Sequence, residues 1–464
     1  MEKNEQAYIK LQRHLDRQAV GFPATKSGSE IRILKHIFTP QEAEIATCLT
    51  YKCEPLEMVF ERAGHLVESP EKLSKLLESI EKKGGIESKI KDGKRLYCNA
   101  PLVVGMYEFQ LGRLTSEFIK DFDEYTSDKK FGIEFISTKL PQMRTIPIAK
   151  SIQPQHHVST FDEVAVLLQQ AEAPFAIFEC ICRQKKALGG EPCRVTDRKE
   201  TCFAVGNMAQ AILRSGIGRE ITLDESMSIL DQNQKQGLVL QPSNTEKAEF
   251  ICSCCGCCCG MLGMHKNLPK PVDFWASNFY AVVDTDACDG CGNCEKRCQV
   301  GAASVSEEKK QSSIDLNRCI GCGLCIPTCP KKAISLQKKP TEVTPPETRE
   351  DLYDIIMSNK KGRLGKLKVT GKVFIDAIRT GQTHLLKYGN GSPAQVGGRW
   401  FDSEFRRLGD ISWIVPLSMQ PAFLSARSMS LVMDCFFKGL YCEFFGSGEE
   451  ERFGCFTRSV LRLQ

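Results

Sequence analysis

The stretch Cys288-Asp289-Gly290-Cys291-Gly292-Asn293-Cys294-Glu295-Lys296-Arg297-Cys298 recurs 31 residues on as Cys319-Ile320-Gly321-Cys322-Gly323-Leu324-Cys325-Ile326-Pro327-Thr328-Cys329. Both runs are spaced C-x2-C-x2-C-x3-C, both carry glycine at the same two places, and the pair Ala303 and Val305 recurs as Ile334 and Leu336. A repeat this regular points to two copies of one structural unit. Three thiolates two residues apart can wrap a loop around one cubane of iron and sulfide. The glycines admit tight, positive-φ turns that aim backbone N–H groups at its sulfurs, while the fourth cysteine points away. Zinc ribbons use paired C-x2-C knuckles rather than triple runs, and disulfides suit oxidising compartments, so the spacing favours iron and sulfur over either.

Around the runs, residues 280–283, 304–306, 313–316 and 333–336 read as short strands, giving two β-loop-helix-β halves. Residues 276 to 338 therefore resemble the bacterial two-cluster ferredoxin domain. The resemblance implies that each fourth ligand serves the opposite centre. Cys288, Cys291, Cys294 and Cys329 would hold one [4Fe-4S] cluster, and Cys319, Cys322, Cys325 and Cys298 the second. The second run ends Cys329-Pro330, as in that family. The first ends Cys298-Gln299 and lacks the proline that stiffens the turn.

A chain of 464 residues is too long for one core, and its length suggests about three domains. The first residues show no apolar core or cleavage pattern, and no stretch approaches the ~18 consecutive apolar residues of a membrane span, so a cytoplasmic protein is expected. Twenty-four cysteines without a secretory signal favour thiolate chemistry in a reducing cell, in an anaerobic setting, over a disulfide scaffold. A net charge of +5 is small for this length and does not by itself nominate nucleic acid or an anionic membrane.

Residues 30 to 98 read as three helices followed by a hairpin. Thr39-Pro40-Gln41-Glu42 is a capping box that starts a helix through Leu49. Leu56, Val59, Phe60 and Ala63 then recur at helical spacing before Gly64, as do Leu73, Leu76, Leu77 and Ile80 after Ser69-Pro70. Residues 86–98 form a hairpin around Asp92-Gly93. This order resembles the winged-helix fold. Its third helix carries Lys72, Lys75, Lys82 and Lys83 interleaved with Glu71, Glu78 and Glu81, acids that would face phosphate unfavourably. The wing lysines Lys89, Lys91 and Lys94, with Arg95, could contact a nucleic-acid backbone, but a lysine-rich hairpin is also an ordinary solvated edge. Between 101 and 175 the patterns are helical, as at 161–170. His156 and His157, being adjacent, point to different faces and read as exposed polar residues.

A second cysteine region contains Cys180, Cys182, Cys193 and Cys202, then the dense run Cys252, Cys254, Cys255, Cys257, Cys258 and Cys259. Crowded thiols oxidise unless metal-bound or sequestered, so a subset is expected to hold a further iron-sulfur cluster or zinc. Six thiols within eight residues cannot all reach one centre, so ligands from this run should combine with members of the earlier four. The order of a winged helix, Cys180-Ile181-Cys182-Arg183, a Cys-Cys-Gly-Cys-Cys-Cys-Gly run (254–260) and a two-cluster domain resembles a group of uncharacterised anaerobe ferredoxin-type proteins. The stretches 20–25 and 241–244 share in that likeness, which spans about residues 12 to 340 and carries no activity with it. Cys254-Cys255-Gly256 is also similar to the Cys-Cys-Gly elements of heterodisulfide reductases, although the downstream Cys288-x2-Cys291 pair is already used by the ferredoxin run.

Beyond Pro340 a linker precedes two expected helices, at 349–357 and 371–378. Cys435, Cys442 and Cys455 have no ligand spacing, and residues 431–445 are too short to span a bilayer. The sequence thus describes an α+β, multi-domain protein. Its parts are an N-terminal segment (1–29), a winged-helix-like domain (30–100), a helical connector (101–175), a cysteine-rich domain (176–271), a two-cluster ferredoxin domain (272–340) and a C-terminal linker and tail (341–464). The expected function is that of an electron carrier or electron-transfer subunit with two clusters and a third, serving a partner oxidoreductase. The alternatives are a redox-sensing DNA-binding regulator and a reductase whose chemistry occurs at the cysteine-dense cluster.

Overall fold

The computed structural model describes residues 3–153 and 158–386. His156, His157, Cys435, Cys442, Cys455 and the stretch 431–445 lie outside the described residues.

A helix at Lys3–Asp16 opens the chain, in a segment for which the sequence reading set out no element. Ala7, Leu11 and Leu15 fall one turn apart and are all buried, so the helix forms by covering an apolar stripe rather than by capping. The helices Ser29–Ile37, Pro40–Ala46, Leu56–Ala63 and Pro70–Lys82 follow. The capping box closes as expected, with Thr39 N donating to Glu42 Oε2 at 2.8 Å and Glu42 N to Thr39 Oγ1 at 3.3 Å. Strands β1 (Glu54–Pro55), β2 (Ile86–Lys91) and β3 (Lys94–Asn99) form an antiparallel sheet in the order β1-β3-β2. Asp92 and Gly93 both have positive φ, 51° and 71°, the conformation a two-residue hairpin turn demands. A disulfide joins Cys53 to Cys98.

The segment expected as a helical connector is partly extended. It holds helices Ser116–Thr126, Lys129–Ile136 and Val164–Gln170, but Met143 and Ile146 bridge to Ser243 and Leu240. Strand β4 (Phe175–Glu179) begins before the expected boundary at 175/176. With β5 (Glu200–Val205), β6 (Gly218–Ile221), β7 (Val239–Pro242) and β8 (Phe250–Cys254) it makes a five-stranded antiparallel sheet in the order β6-β4-β5-β8-β7.

This sheet is the middle layer. Side chains alternate across a strand, and here both faces are apolar. Ala176, Phe178 and Ala204 pack on the N-terminal helices, whereas Ile177, Phe203 and Ile251 pack in a core continuous with Ala281, Ile320 and Ile334. The latter three belong to the duplicated unit, in which β9 (Phe279–Val283) pairs with β12 (Ile334–Lys338) and β10 (Ala303–Ser306) with β11 (Gln311–Ile314). The third of these strands ends earlier than the sequence suggests. Asp315 begins a turn there, its Oδ1 accepting from Asn317 N at 2.9 Å, as short acidic side chains do.

The region after 340 is not a detached tail where it is described. Helix Arg349–Ser358 buries Leu352, Tyr353 and Ile356, and Arg349 bonds both Glu87 and Glu249. The helix expected at 371–378 starts earlier and runs Arg363–Arg379. Among the described residues, no helix is long and apolar enough to cross a membrane.

Candidate metal centres

Four of the eight cysteines of the repeat accept backbone N–H bonds, and two of these bonds cross between the halves. Ala281 N, on β9 ahead of the first run, donates to Cys319 Sγ of the second at 3.3 Å. Its equivalent one repeat later, Ser312 N on β11, donates to Cys288 Sγ of the first, also at 3.3 Å. Within each run the fourth cysteine accepts from the residue four further on, Cys298 from Ala302 N at 3.2 Å and Cys329 from Ala333 N at 3.3 Å. Gly290 and Gly321 have φ of 70° and 65°. A Cβ at Gly290 would stand 2.5 Å from the Lys310 carbonyl carbon, and one at Gly321 the same distance from that of Phe279. These two neighbours are again one repeat apart, so each loop is seated on the other half.

The two runs sit at different depths. Cys291 is exposed and Cys288 partly so, whereas Cys319 is buried. The Ser312 N–H holds the Cys288 thiol below the usual range, and burial pushes Cys322 up to about 12. Thiols so different in pKa face different surroundings. Cys288 and Cys291 lie toward solvent, whereas Cys294 of the same run and Cys319 of the second are buried.

The ten cysteines of the other region fall into two groups. Cys193, Cys255, Cys257 and Cys258 have their sulfurs within 4.8 Å of one another. Cys193 Sγ is 3.6 Å from Cys255 and 3.7 Å from Cys257, and Cys257 is 3.6 Å from Cys258. A tetrahedral ion with metal–sulfur bonds of about 2.3 Å sets its ligands about 3.8 Å apart, so these four suit a single ion. Hydrogen bonds from Cys255 and Cys258 hold the Cys257 thiol far below its usual range.

The remaining six close a ring. Their thiols influence one another's ionisation in a closed circuit, Cys180 with Cys182 and Cys202, Cys202 with Cys252, Cys252 with Cys254, Cys254 with Cys259, and Cys259 with Cys182. Local structure explains the ring. Cys252 and Cys254 are two apart on β8 and so share a face. Cys202 lies on the adjacent β5, and Cys180 and Cys182 open the helix Ile181–Leu188 at the end of β4. Cys259 precedes the helix Gly260–Lys266. The ring, with Cys255 and Cys258 of the other group at its border, lines a cavity of about 160 Å³ whose wall also includes Tyr107, Phe109, Phe122 and Phe131. Its lining is mainly apolar and it opens partly to solvent. It is better understood as a seat.

Arg183 lies between the groups. It is 6% exposed, donates to Thr201 Oγ1 and, at 2.7 Å, to Ser253 O. Its Nε has no hydrogen-bond partner among the described residues. Burial would depress its pKa, but negative charge on Cys180, Cys202 and Cys255 outweighs that and keeps the guanidinium charged. A buried cation without a carboxylate requires other anions nearby, and thiolates are what surround it. The signal in the sequence was its place directly after Cys182.

Gln299 explains the missing proline. Its Oε1 accepts from Gly256 N at 2.8 Å, and a side chain at Gly256 would collide with the Gln299 carbonyl. The turn after Cys298 therefore rests on the dense run, an arrangement that proline, without the amide side chain, could not provide.

A family model described as a 4Fe-4S dicluster domain matches residues 287–333. Both cysteine runs lie inside that span, which is a ferredoxin-like iron-sulfur domain. No curated protein and no solved structure matches the chain.

Proposed function

We propose that the protein is an electron-transfer protein carrying two [4Fe-4S] clusters of the bacterial ferredoxin type, Cys288, Cys291, Cys294 and Cys329 holding one and Cys319, Cys322, Cys325 and Cys298 the other. Such clusters supply reversible one-electron chemistry. The observation that carries the reading is the crossed bonding of Ala281 and Ser312 to the opposite runs, which interleaves the halves as crossed ligation requires. The difference in depth gives a direction. The first set, with Cys288 and Cys291 toward solvent, meets a partner oxidoreductase, and the second, joined through Gln299 to Gly256, exchanges electrons with a further centre in the cysteine-dense region.

The winged-helix resemblance of residues 30–100 is architectural in this reading, and DNA binding is not its role. Of the wing, Lys89 is paired with Glu350, and Arg95 with Glu78 and Glu81. A cytoplasmic, anaerobic setting suits clusters with an exposed ligand such as Cys291. The test is anaerobic purification, iron and acid-labile sulfide assay, and a redox titration followed by electron paramagnetic resonance. About eight irons in ferredoxin-type centres, reduced one electron at a time, are expected. A chain that retains no acid-labile sulfide under these conditions is not this protein.

A further inference from the structure

We propose that the cysteine-dense region holds two separate centres rather than one: a single tetrahedral metal ion on Cys193, Cys255, Cys257 and Cys258, and a polynuclear iron-sulfur cluster ligated by members of the ring Cys180, Cys182, Cys202, Cys252, Cys254 and Cys259. This rests on the reading of the chain as an iron-sulfur protein and extends it.

Three observations separate the sites. The first is spacing. The four sulfurs approach within 3.6–3.7 Å across their contacts, which is the separation around one thiolate-bound ion and too tight for a cubane, whose ligands stand on different irons. The second is the ring, all six of whose cysteines line a cavity of about 160 Å³, whereas only Cys255 and Cys258 of the other group border it. Six thiols exceed what a single tetrahedral ion takes, and the space beside them suits a core of several irons and sulfides. The third is Arg183, buried with hydrogen bonds to Thr201 and Ser253 and no carboxylate partner among the described residues, and held charged by the neighbouring thiolates of both groups. A tetrathiolate ion and an iron-sulfur cluster with thiolate ligands are both net anionic, so one guanidinium lying against both offsets charge on either side. The dense run alternates between the sites for a simple reason. Cys252 and Cys254 are fixed on one face of β8, Cys255 follows the last strand residue and joins the other group, and after Gly256 so do Cys257 and Cys258, before Cys259 returns at the start of a helix.

The chain also links the sites to distant segments. Cys193 closes a loop back to the tetrathiolate group across 64 residues from Cys257, and Cys180 closes one to the ring. Metal binding at each would support folding of the whole middle layer.

The test uses the full chain, purified anaerobically and reconstituted with iron and sulfide, with and without zinc. Three proteins are compared: the unmutated chain, the double variant Cys193→Ser/Cys257→Ser, and the double variant Cys202→Ser/Cys254→Ser. The first double variant is expected to lose one metal per chain and no acid-labile sulfide. The second should lose about four irons or more with a similar number of sulfides, while keeping the single metal. X-ray absorption of the unmutated chain is the second measurement, independent of how the variants fold. It should show one ion, zinc where zinc is supplied, with four sulfurs at about 2.3 Å and no neighbouring metal. If both double variants lose iron and sulfide together, or if the absorption shows no isolated tetrathiolate ion, the two-centre proposal is overturned. If all three proteins keep the same ferredoxin-type iron and sulfide and nothing more, this inference fails while the electron-transfer reading stands. If the unmutated chain holds no sulfide, both fail.

Discussion

Ala281 N donates to Cys319 Sγ across 38 residues at 3.3 Å, although Ala281 lies just ahead of the other cysteine run. The bond makes sense only with its counterpart, Ser312 N to Cys288 Sγ. Each half supplies an amide to the first ligand of the other, and an N–H aimed at a cluster sulfur raises the reduction potential by stabilising the more negative state. Neither half is complete alone.

Cys298→Ser is the direct probe of crossed ligation. The centre expected to suffer is that of Cys319, Cys322 and Cys325, with the Cys288 to Cys294 centre left spectroscopically intact. Electron paramagnetic resonance of the reduced variant decides this. Loss confined to the first centre would show that each run keeps its own fourth ligand.

Gly321→Ala tests how closely the halves are seated. Alanine at φ 65° costs ~1–2 kcal/mol from conformation alone, and its Cβ would stand 2.5 Å from the Phe279 carbonyl carbon, which strand β9 cannot easily move. Slow loss of iron and a lowered unfolding temperature are expected. Gly381→Ala serves as the control, since it also has positive φ but open space around the added carbon. Equal effects at the two sites would mean that conformation, not the contact between halves, sets the cost.

Much of this arrangement was legible before the structure because local rules decide it. The capping box at Thr39, the turn at Asp92-Gly93 and the positive φ at Gly290 and Gly321 each follow from a few adjacent residues. The helix Lys3–Asp16 was missed because its stripe is short and surrounded by charge. The partition of the ten cysteines was illegible for a different reason. Alternation on β8 and the pairing of β5 with β8 decide which thiols meet, and sheet order is a long-range outcome that spacing does not encode. Gln299 was visible as a departure from the ferredoxin pattern, but its partner Gly256 could only be found in three dimensions.

Gln299→Leu should separate cluster retention from inter-site contact. Gln299 is not a ligand, so iron at the second ferredoxin centre should be kept. Gly256 N–H, which donates to its Oε1 at 2.8 Å, would be left without that acceptor, costing ~1–3 kcal/mol. The measurement is proteolysis across residues 252–260 together with iron content. Faster cleavage at unchanged ferredoxin iron is the expected pair of results. Protection equal to that of the unmutated chain would mean that the contact does not hold the turn.

His265 gives the fold a pH dependence whose sign can be worked out. It is fully buried, at 0% exposure, its ring centroid 5.1 Å from that of Trp275 in an edge-to-face arrangement, and burial pushes its pKa from 6.5 down to about 3. The folded protein therefore carries a neutral ring where the unfolded chain would carry a charged one. Above pH 6.5 both states are neutral and the group changes nothing. As pH falls from about 6.5 toward about 3, the unfolded state binds a proton that the folded state refuses, and stability declines by up to ~1.4 kcal/mol per pH unit. His265→Leu removes the group at similar volume. Acid also dissolves iron-sulfur centres, so the informative quantity is the difference between the two proteins, measured as denaturation midpoints under anaerobic conditions at pH 7 and pH 5. The variant should gain on the unmutated chain by roughly 2 kcal/mol between those values. An unchanged difference would mean that the ring is already protonated or solvated in the folded state.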